Sequence, residues 1–259
     1  MRKTEPANRR ILITGSTGAI GGALAEVYAA PGVELHLHGR NETKLAAVGA
    51  RCAVQGARVL TKCFDVRDTA ALRGWLNDIC TTQALDLVIV NAGVNTDIGP
   101  AGEGEQWDEV EALLDINLKA SMAMVHAVLP GMRRRGGGQI ALVSSLAGYF
   151  GLPVTPAYCA SKAGLKAYGE ALRGWLAPEG IRVNVIMPGY VESPMCEAML
   201  GPKPFLWQPA RAAKIIRHGL AKDKARISFP FPLNLGSWFL AVLPAEVSLR
   251  ILSWLGYRG

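Results

Sequence analysis

Ile11-Leu12-Ile13-Thr14-Gly15-Ser16-Thr17-Gly18-Ala19-Ile20-Gly21 decides the fold. A short apolar run breaks at Gly15, and Ala23 to Ala30 then carries a helical pattern, so a strand, a glycine turn and a helix follow one another. At such a junction the free N–H groups and the dipole of the helix N-terminus favour a pyrophosphate, and glycine lets the backbone approach it closely. Gly15, Ser16, Thr17, Gly18, Ala19, Ile20 and Gly21 are therefore read as a dinucleotide cradle.

Working outward, Glu34 to His38 alternates as a second strand, and Asn41 caps a helix that opens with Glu42. The pattern repeats: strand Val59 to Phe64, helix Thr69 to Thr81, strand Leu85 to Val90, helix Trp107 to Arg134, strand Gln139 to Ser144, helix Ala157 to Leu176 and strand Ile181 to Met187. Strands that are apolar almost throughout, each bounded by helical patterns, predict an α/β fold with a doubly wound parallel sheet covered on both faces.

The end of the second strand should record which cofactor is bound, because an acidic residue there would hold a ribose 2′-hydroxyl and repel a 2′-phosphate. The chain reads His38-Gly39-Arg40-Asn41 instead. Gly39 leaves room, Arg40 can pair with a phosphate, and NADP (NADPH) is the expected cofactor. Asp65-Val66 and Asn91-Ala92-Gly93 follow the third and fourth strands, at the sheet edge where open α/β folds bind ligands. An acceptor at Asp65 can meet the adenine amine, and the small residues Ala92 and Gly93 let backbone touch the cofactor.

A chain of 259 residues with 50% hydrophobic content can bury a full core as one domain. Cys52, Cys63, Cys80, Cys159 and Cys196 are scattered without C-x-x-C spacing, which suggests neither disulfides nor zinc and fits reduced core thiols in a cytoplasmic protein. Met1 to Arg10 is polar and has no apolar export segment. The net charge of +7 is dispersed, and its densest run, Arg133-Arg134-Arg135, reads as a solvated helix end stopped by glycine rather than a nucleic-acid patch. No metal is expected, and His36, His38, His126 and His218 are read as surface or core residues.

A second stretch carries the chemistry. Ser145, Tyr158 and Lys162 put a hydroxyl, a phenol and an amine where they could share one carbonyl, and the i, i+4 spacing of Tyr158 and Lys162 places both on one helical face. A free phenol titrates near 10. A nearby ammonium would favour its ionised form.

Taken with the glycine turn, Asp65-Val66, Asn91-Ala92-Gly93, Asn117 and Pro188-Gly189, these residues resemble the classical short-chain dehydrogenase/reductase family over residues 11 to about 195. The resemblance implies a single-domain, three-layer Rossmann-like sheet of about seven strands. It also implies reversible hydride transfer between a nicotinamide and a carbonyl or secondary alcohol. On the same ground Tyr158 is the acid/base, Lys162 its partner and ribose ligand, and Ser145, rather than Ser144, the serine that holds the substrate oxygen. Asn117 is the asparagine that supports a proton path to the lysine. Pro188, Gly189, Val191 and Ser193 are the residues beside the nicotinamide, and a homodimer or homotetramer is implied.

Three departures stand out. The spacing Gly15, Gly18, Gly21 resembles the extended branch, which contains epimerases and dehydratases, and Ser193 replaces a threonine. The chain end lacks the family's glycine-rich closing strand and offers Arg226 to Pro232 followed by a leucine- and tryptophan-rich tail. That tail is open between a pocket cover, a subunit interface and a membrane surface, the last with Lys222, Lys224 and Arg226 facing headgroups.

The resulting division is a core over 1–190, a substrate lid over 190–225 and a divergent tail over 226–259. The substrate pocket is expected between the loop Leu146 to Pro156 and the mobile segment Tyr190 to Gln208. Its walls would be Ala147, Tyr149, Phe150, Leu152, Val154, Tyr190, Met195, Met199, Leu200, Phe205 and Trp207, which together suit an apolar small molecule. An epimerase or dehydratase, and a non-catalytic NADP sensor, remain the alternatives to an oxidoreductase.

Overall fold

The computed structural model describes residues 9–82 and 85–257. Most of the polar N-terminal stretch, residues 1–8, lies outside the described residues, as do the last two residues of the tail.

Seven parallel strands form one sheet: β1 Arg9–Ile13, β2 Val33–Gly39, β3 Arg58–Cys63, β4 Leu87–Val90, β5 Gly138–Val143, β6 Ile181–Pro188 and β7 Arg226–Phe229. Their order is β3-β2-β1-β4-β5-β6-β7, so the chain reverses direction across the sheet between β1 and β4. Ligands bind in the crevice that such a reversal opens at the carboxyl ends of the strands.

Period-two alternation within the strands builds two cores. Ile11, Ile13, Leu35, Leu37 and Ile89 face α1 (Ala19–Tyr28), α2 (Glu42–Val54) and α8 (Pro209–Ala221). Leu12, Val88, Val90, Ile140 and Leu142 face α3 (Thr69–Thr82), the long helix Trp107–Arg135 and α6 (Pro156–Leu176). Both faces of the central strands are packed with apolar side chains, whereas the edge strand β3 exposes Arg58, Thr61 and Lys62.

The long helix is α4 (Trp107–Leu114) and α5 (Ala120–Arg135) joined by a π-turn over Asp115–Lys119. It is the one described helix long and apolar enough to cross a membrane, and half of that window is buried inside the protein. Gly136 ends it in the left-handed region at φ 68°, and Arg133 and Arg135 pair with Glu179 and Asp86. The arginine run is thus a helix end tied to acidic neighbours.

The segment that stands in place of a glycine-rich closing strand is itself the seventh strand. Arg226–Phe229 pairs in parallel with Val185–Pro188 and completes the sheet without glycine. Buried polar groups hold its entry: the Asn184 amide donates to Lys224 O at 2.8 Å and to Asp223 at 2.9 Å, and Arg173 grips the same Asp223. Within the expected lid, Pro194–Ala198 forms the short helix α7, and residues 209–221 are not lid, because they form α8 and bury Ala212, Ala213, Ile216 and Leu220 in the core. After β7 the tail folds as α9 (Leu233–Val242) and α10 (Ala245–Trp254).

Candidate active site

At the carboxyl ends of the strands lies a cavity of about 900 Å³ that runs from the glycine turn to the tail helices. Gly15, Thr17, Gly18, Ala19, Ile20, Gly39, Arg40, Val66, Asn91, Ala92 and Gly93 line its first half. Ser145, Ala147, Tyr158, Lys162, Pro188, Gly189, Tyr190, Val191 and Ser193 line the second, with Phe150, Leu152, Met195 and Met199.

Close backbone approach makes the turn. Gly15 has φ 66°, and a Cβ there would come within 2.9 Å of Ala92 Cα. A Cβ on Gly21 would collide with the Gly15 carbonyl and stand 2.7 Å from Asn91 Nδ2. That amide is occupied behind the turn, donating to Thr14 O at 2.9 Å and Gly15 O at 3.2 Å. Gly21→Ala should therefore cost about 1–3 kcal/mol as overpacking. At roughly 2–4 °C per kcal/mol, a clear fall in Tm should appear in calorimetry, and an unchanged Tm would contradict this packing.

Several expected cofactor residues serve the frame instead of the cavity. Ser16 is buried and donates its hydroxyl to Ile13 O at 2.8 Å, while Asn41 caps α2 by accepting from Lys44 N. Gly21 lies inside α1, where it allows the turn to close. Asp65 is bound by Arg67 through its backbone N–H and guanidinium, which holds the carboxyl below the usual carboxylate range, and it does not line the cavity. The room expected at Gly39 is taken by Thr17, whose Cγ2 stands 2.5 Å from where a Cβ would be. Lys44, one turn into α2, lines the cavity with Arg40 and was not marked in the sequence, because a lysine on an exposed helix face carries no pattern of its own.

The catalytic candidates converge. Tyr158 is buried and hydrogen-bonded to Ser145, and burial pushes its phenol up to about 12 while that hydrogen bond opposes the rise. Ser145 Oγ also accepts from Ala147 N at 3.1 Å. Ser144, in contrast, is buried and gives its hydroxyl to the Lys162 carbonyl at 2.7 Å. Lys162 donates from Nζ to Val143 O at 3.1 Å and lies 5.5 Å from the Tyr158 ring centre, and burial lowers its pKa to about 8. Burial, not the ammonium, thus dominates the phenol in the free protein, and it remains a proton donor at neutral pH.

Asn117 sits in the π-turn, fully buried, and does not line the cavity. Its Oδ1 accepts from Val94 N at 2.9 Å, and its Nδ2 donates to Val94 O at 2.9 Å and to Ser161 Oγ at 3.1 Å. The side chain therefore pins the loop after β4 to the helix that carries Tyr158. Glu105 does the same from further away. Its carboxylate accepts from Ala157 N at 3.1 and 3.0 Å, capping α6, and from Thr96 Oγ1 at 2.8 Å. No local signal links Glu105 to a helix start 52 residues later.

The substrate wall differs from expectation in three places. Tyr149 packs with Leu146, Val185, Met187 and Leu233 outside the cavity. Phe205 is 52% exposed, and Trp207 stacks on Phe229 with ring centres 5.2 Å apart. Their places are taken by the tail. Leu233, Leu240, Ile251, Leu252 and Tyr257 line the cavity, and Val154, Leu252 and Tyr257 form a small core with Leu200 and Leu240.

Gly189 permits this close docking, since a Cβ there would be 2.9 Å from Pro230 Cδ and 3.0 Å from Leu233 Cδ2. Tyr257 donates to Pro202 O at 2.7 Å and its hydroxyl meets that of Tyr190 at 2.9 Å. The inner face of the tail lines the cavity, and Arg226 is bonded to Glu170. Among the described residues no cluster of His, Cys, Asp and Glu could hold a metal ion.

The profile of the family described as short chain dehydrogenase matches residues 9–201. An uncharacterized oxidoreductase of Myxococcus xanthus is 34% identical over 241 residues, which cover 93% of this chain and 94% of that one. A 3-oxoacyl-[acyl-carrier-protein] reductase of Rickettsia conorii is 34% identical over 189 residues, covering 73% and 75%. Among solved structures, a short-chain dehydrogenase from Sphingobium yanoikuyae in complex with NADPH has a TM-score of 0.79 at 24% identity and covers 94% of this chain and 95% of that one, a likeness of fold.

Proposed function

The chain belongs to the classical short-chain dehydrogenase/reductase family, and on that premise we propose that it interconverts a carbonyl and a secondary alcohol of a largely apolar small molecule, with NADP(H) as the cofactor. One observation carries this reading. The protonated Tyr158–Ser145 pair opens onto the same cavity as the glycine turn.

The backbone that passes too close for any Cβ at Gly15 fits a pyrophosphate, and the N-terminus of α1 points its free N–H groups there. Arg40 and Lys44 would meet a 2′-phosphate. Val66, Ala92 and Gly93 would face the rest of the adenosine and the adjoining ribose, and Pro188, Gly189, Val191 and Ser193 the nicotinamide. Bound NADPH supplies the hydride that reaches the carbonyl carbon. Tyr158 gives its phenolic proton to the carbonyl oxygen, which Ser145 holds in place, and takes it back in the reverse direction. Lys162, beside Gly93, would hold the ribose and lower the cost of the phenolate left behind. Asn117 keeps the loop carrying Gly93 against α6.

The test is net NADPH consumption with a panel of apolar ketones and aldehydes. Stoichiometric oxidation with formation of alcohol is expected. A regenerated cofactor would indicate an epimerase, and binding without oxidation a sensor.

A pH dependence follows from Lys162. With its pKa lowered to about 8, it loses its charge as pH rises through that value. Because kcat/KM reports the free enzyme, kcat/KM for NADPH should fall above about pH 8. A profile flat to about pH 10 would remove the lysine charge from cofactor capture.

A further inference from the structure

We infer that the substrate carries a protonated amine near its carbonyl, held by the Asp97 carboxylate, on an otherwise apolar body. This rests on the carbonyl chemistry proposed above and adds the charge of the molecule.

Asp97 follows β4 on the loop that begins Asn91-Ala92-Gly93. That loop is laced to the stretch presenting Tyr158: Thr155 Oγ1 donates to Thr96 O and to Asn95 Oδ1 at 3.0 Å, and Ile98 N donates to Val154 O at 3.3 Å. Thr155 stands three residues before Tyr158, at the start of the same helix. Asp97 therefore enters the cavity from the side where the reacting carbonyl would sit.

Among the described residues that line the cavity, Asp97 is the sole carboxylate. Arg40 and Lys44 belong to the opposite end, and Lys162 gives its Nζ to the Val143 carbonyl. Among the described residues, Asp97 Oδ1 accepts only from Gly99 N in its own turn, at 3.0 Å. The neighbouring Glu105 is committed to Thr96 and to the start of α6. The same cavity is lined by the apolar Leu152, Val154, Met199, Leu240 and Leu252.

In the open cavity water solvates the carboxylate at little cost. A neutral apolar molecule that filled the space would strip that water and leave the charge unpaired. A molecule bearing an ammonium would pair with it through a charge-assisted hydrogen bond, and a hydroxyl would satisfy one lone pair but not the charge. The cavity thus favours an amino ketone, or the matching amino alcohol, over a plain ketone of the same length.

The experiment compares 1-amino-2-decanone, 1-hydroxy-2-decanone and 2-decanone as oxidants of NADPH, with the wild type, Asp97→Asn and Asp97→Glu. The amino ketone should show a kcat/KM at least about tenfold above 2-decanone, mostly through KM, with the hydroxy ketone between them. Asp97→Asn, which keeps the bond from Gly99 N, should bring the ratio close to one, and Asp97→Glu should keep part of it. Equal kcat/KM for the three ketones in the wild type, or a ratio that survives Asp97→Asn, overturns the inference.

Calorimetric binding of decylamine against 1-decanol gives a readout independent of turnover, and decylamine should bind more tightly only while the carboxylate is present. Asp97-dependent decylamine binding without NADPH oxidation by any ketone would leave the amine site standing and remove the reductase reading. Oxidation with 2-decanone but no Asp97-dependent preference for amines would do the reverse.

Discussion

Tyr158→Phe should bind NADPH within about twofold of the wild type and yet lose at least the ~10²-fold in turnover typical of removing a general acid. The change deletes one oxygen. The ring remains buried in α6, and Ser145 keeps its bond from Ala147 N, so neither the frame nor the cradle is disturbed. Folding should not suffer, because a phenol whose pKa is pushed up to about 12 by burial is held there as a neutral group at a desolvation cost that phenylalanine does not bear. A variant that retains turnover would exclude Tyr158 as the proton donor. One that loses NADPH affinity in parallel would show that its effect is structural.

Arg40→Asp should reverse the cofactor preference. Arg40 lies at the exposed end of the cavity beside Thr17 and Lys44, and replacing it puts a carboxylate where two cations now face the expected 2′-phosphate. Two unit charges about 4 Å apart interact by about 4 kcal/mol at the effective dielectric of a protein surface. Exchanging attraction for repulsion should therefore raise the Kd for NADPH by on the order of 100-fold even after screening. The Kd for NADH, which lacks the 2′-phosphate, should change little or improve through a bond from its 2′-hydroxyl to the new carboxylate. Fluorescence titration with both cofactors measures the ratio directly. Retention of the NADPH preference would pass the selecting role to Lys44 and Thr17.

Where local physics decides, the sequence was legible. Strands buried on both faces are apolar almost throughout, so β4, β5 and β6 could be read directly, and Gly21 is required by the nearby carbonyl of Gly15, whereas the contact that requires Gly15 itself comes from the distant Ala92. The choice of Ser145 over Ser144 came from the family resemblance, and the two hydroxyls differ in the structure: one bonds to Tyr158 and the other is buried against the Lys162 carbonyl.

Most of what escaped reading depends on partners distant in the chain. Asp65 is an exception, looking free to receive an amine although Arg67, close by in sequence, holds it, whereas Tyr149 looks like pocket wall until the distant Leu233 and Met187 are seen to enclose it. β7 lacks the expected glycines, and its place is secured by Asn184 and Arg173 from elsewhere in the fold. The tail is the largest case. Its leucines and tryptophans fit a pocket, an interface or a membrane equally well as a composition. Only the docking of Leu240, Leu252 and Tyr257 over the cavity assigns their inner faces, while Leu235, Trp238 and Trp254 stay exposed on the outer ones.

The central claim is hydride transfer to a carbonyl carbon at the Tyr158–Ser145 pair. It is tested most directly by supplying NADPH deuterated at both C4 positions with a reducible apolar ketone, and examining the alcohol by mass spectrometry and NMR. The account predicts one deuterium on the carbinol carbon per NADPH oxidised, formed by the wild type and reduced by at least ~10² in rate in Tyr158→Phe. An alcohol without deuterium, or label returned to the cofactor with no net oxidation, would contradict it.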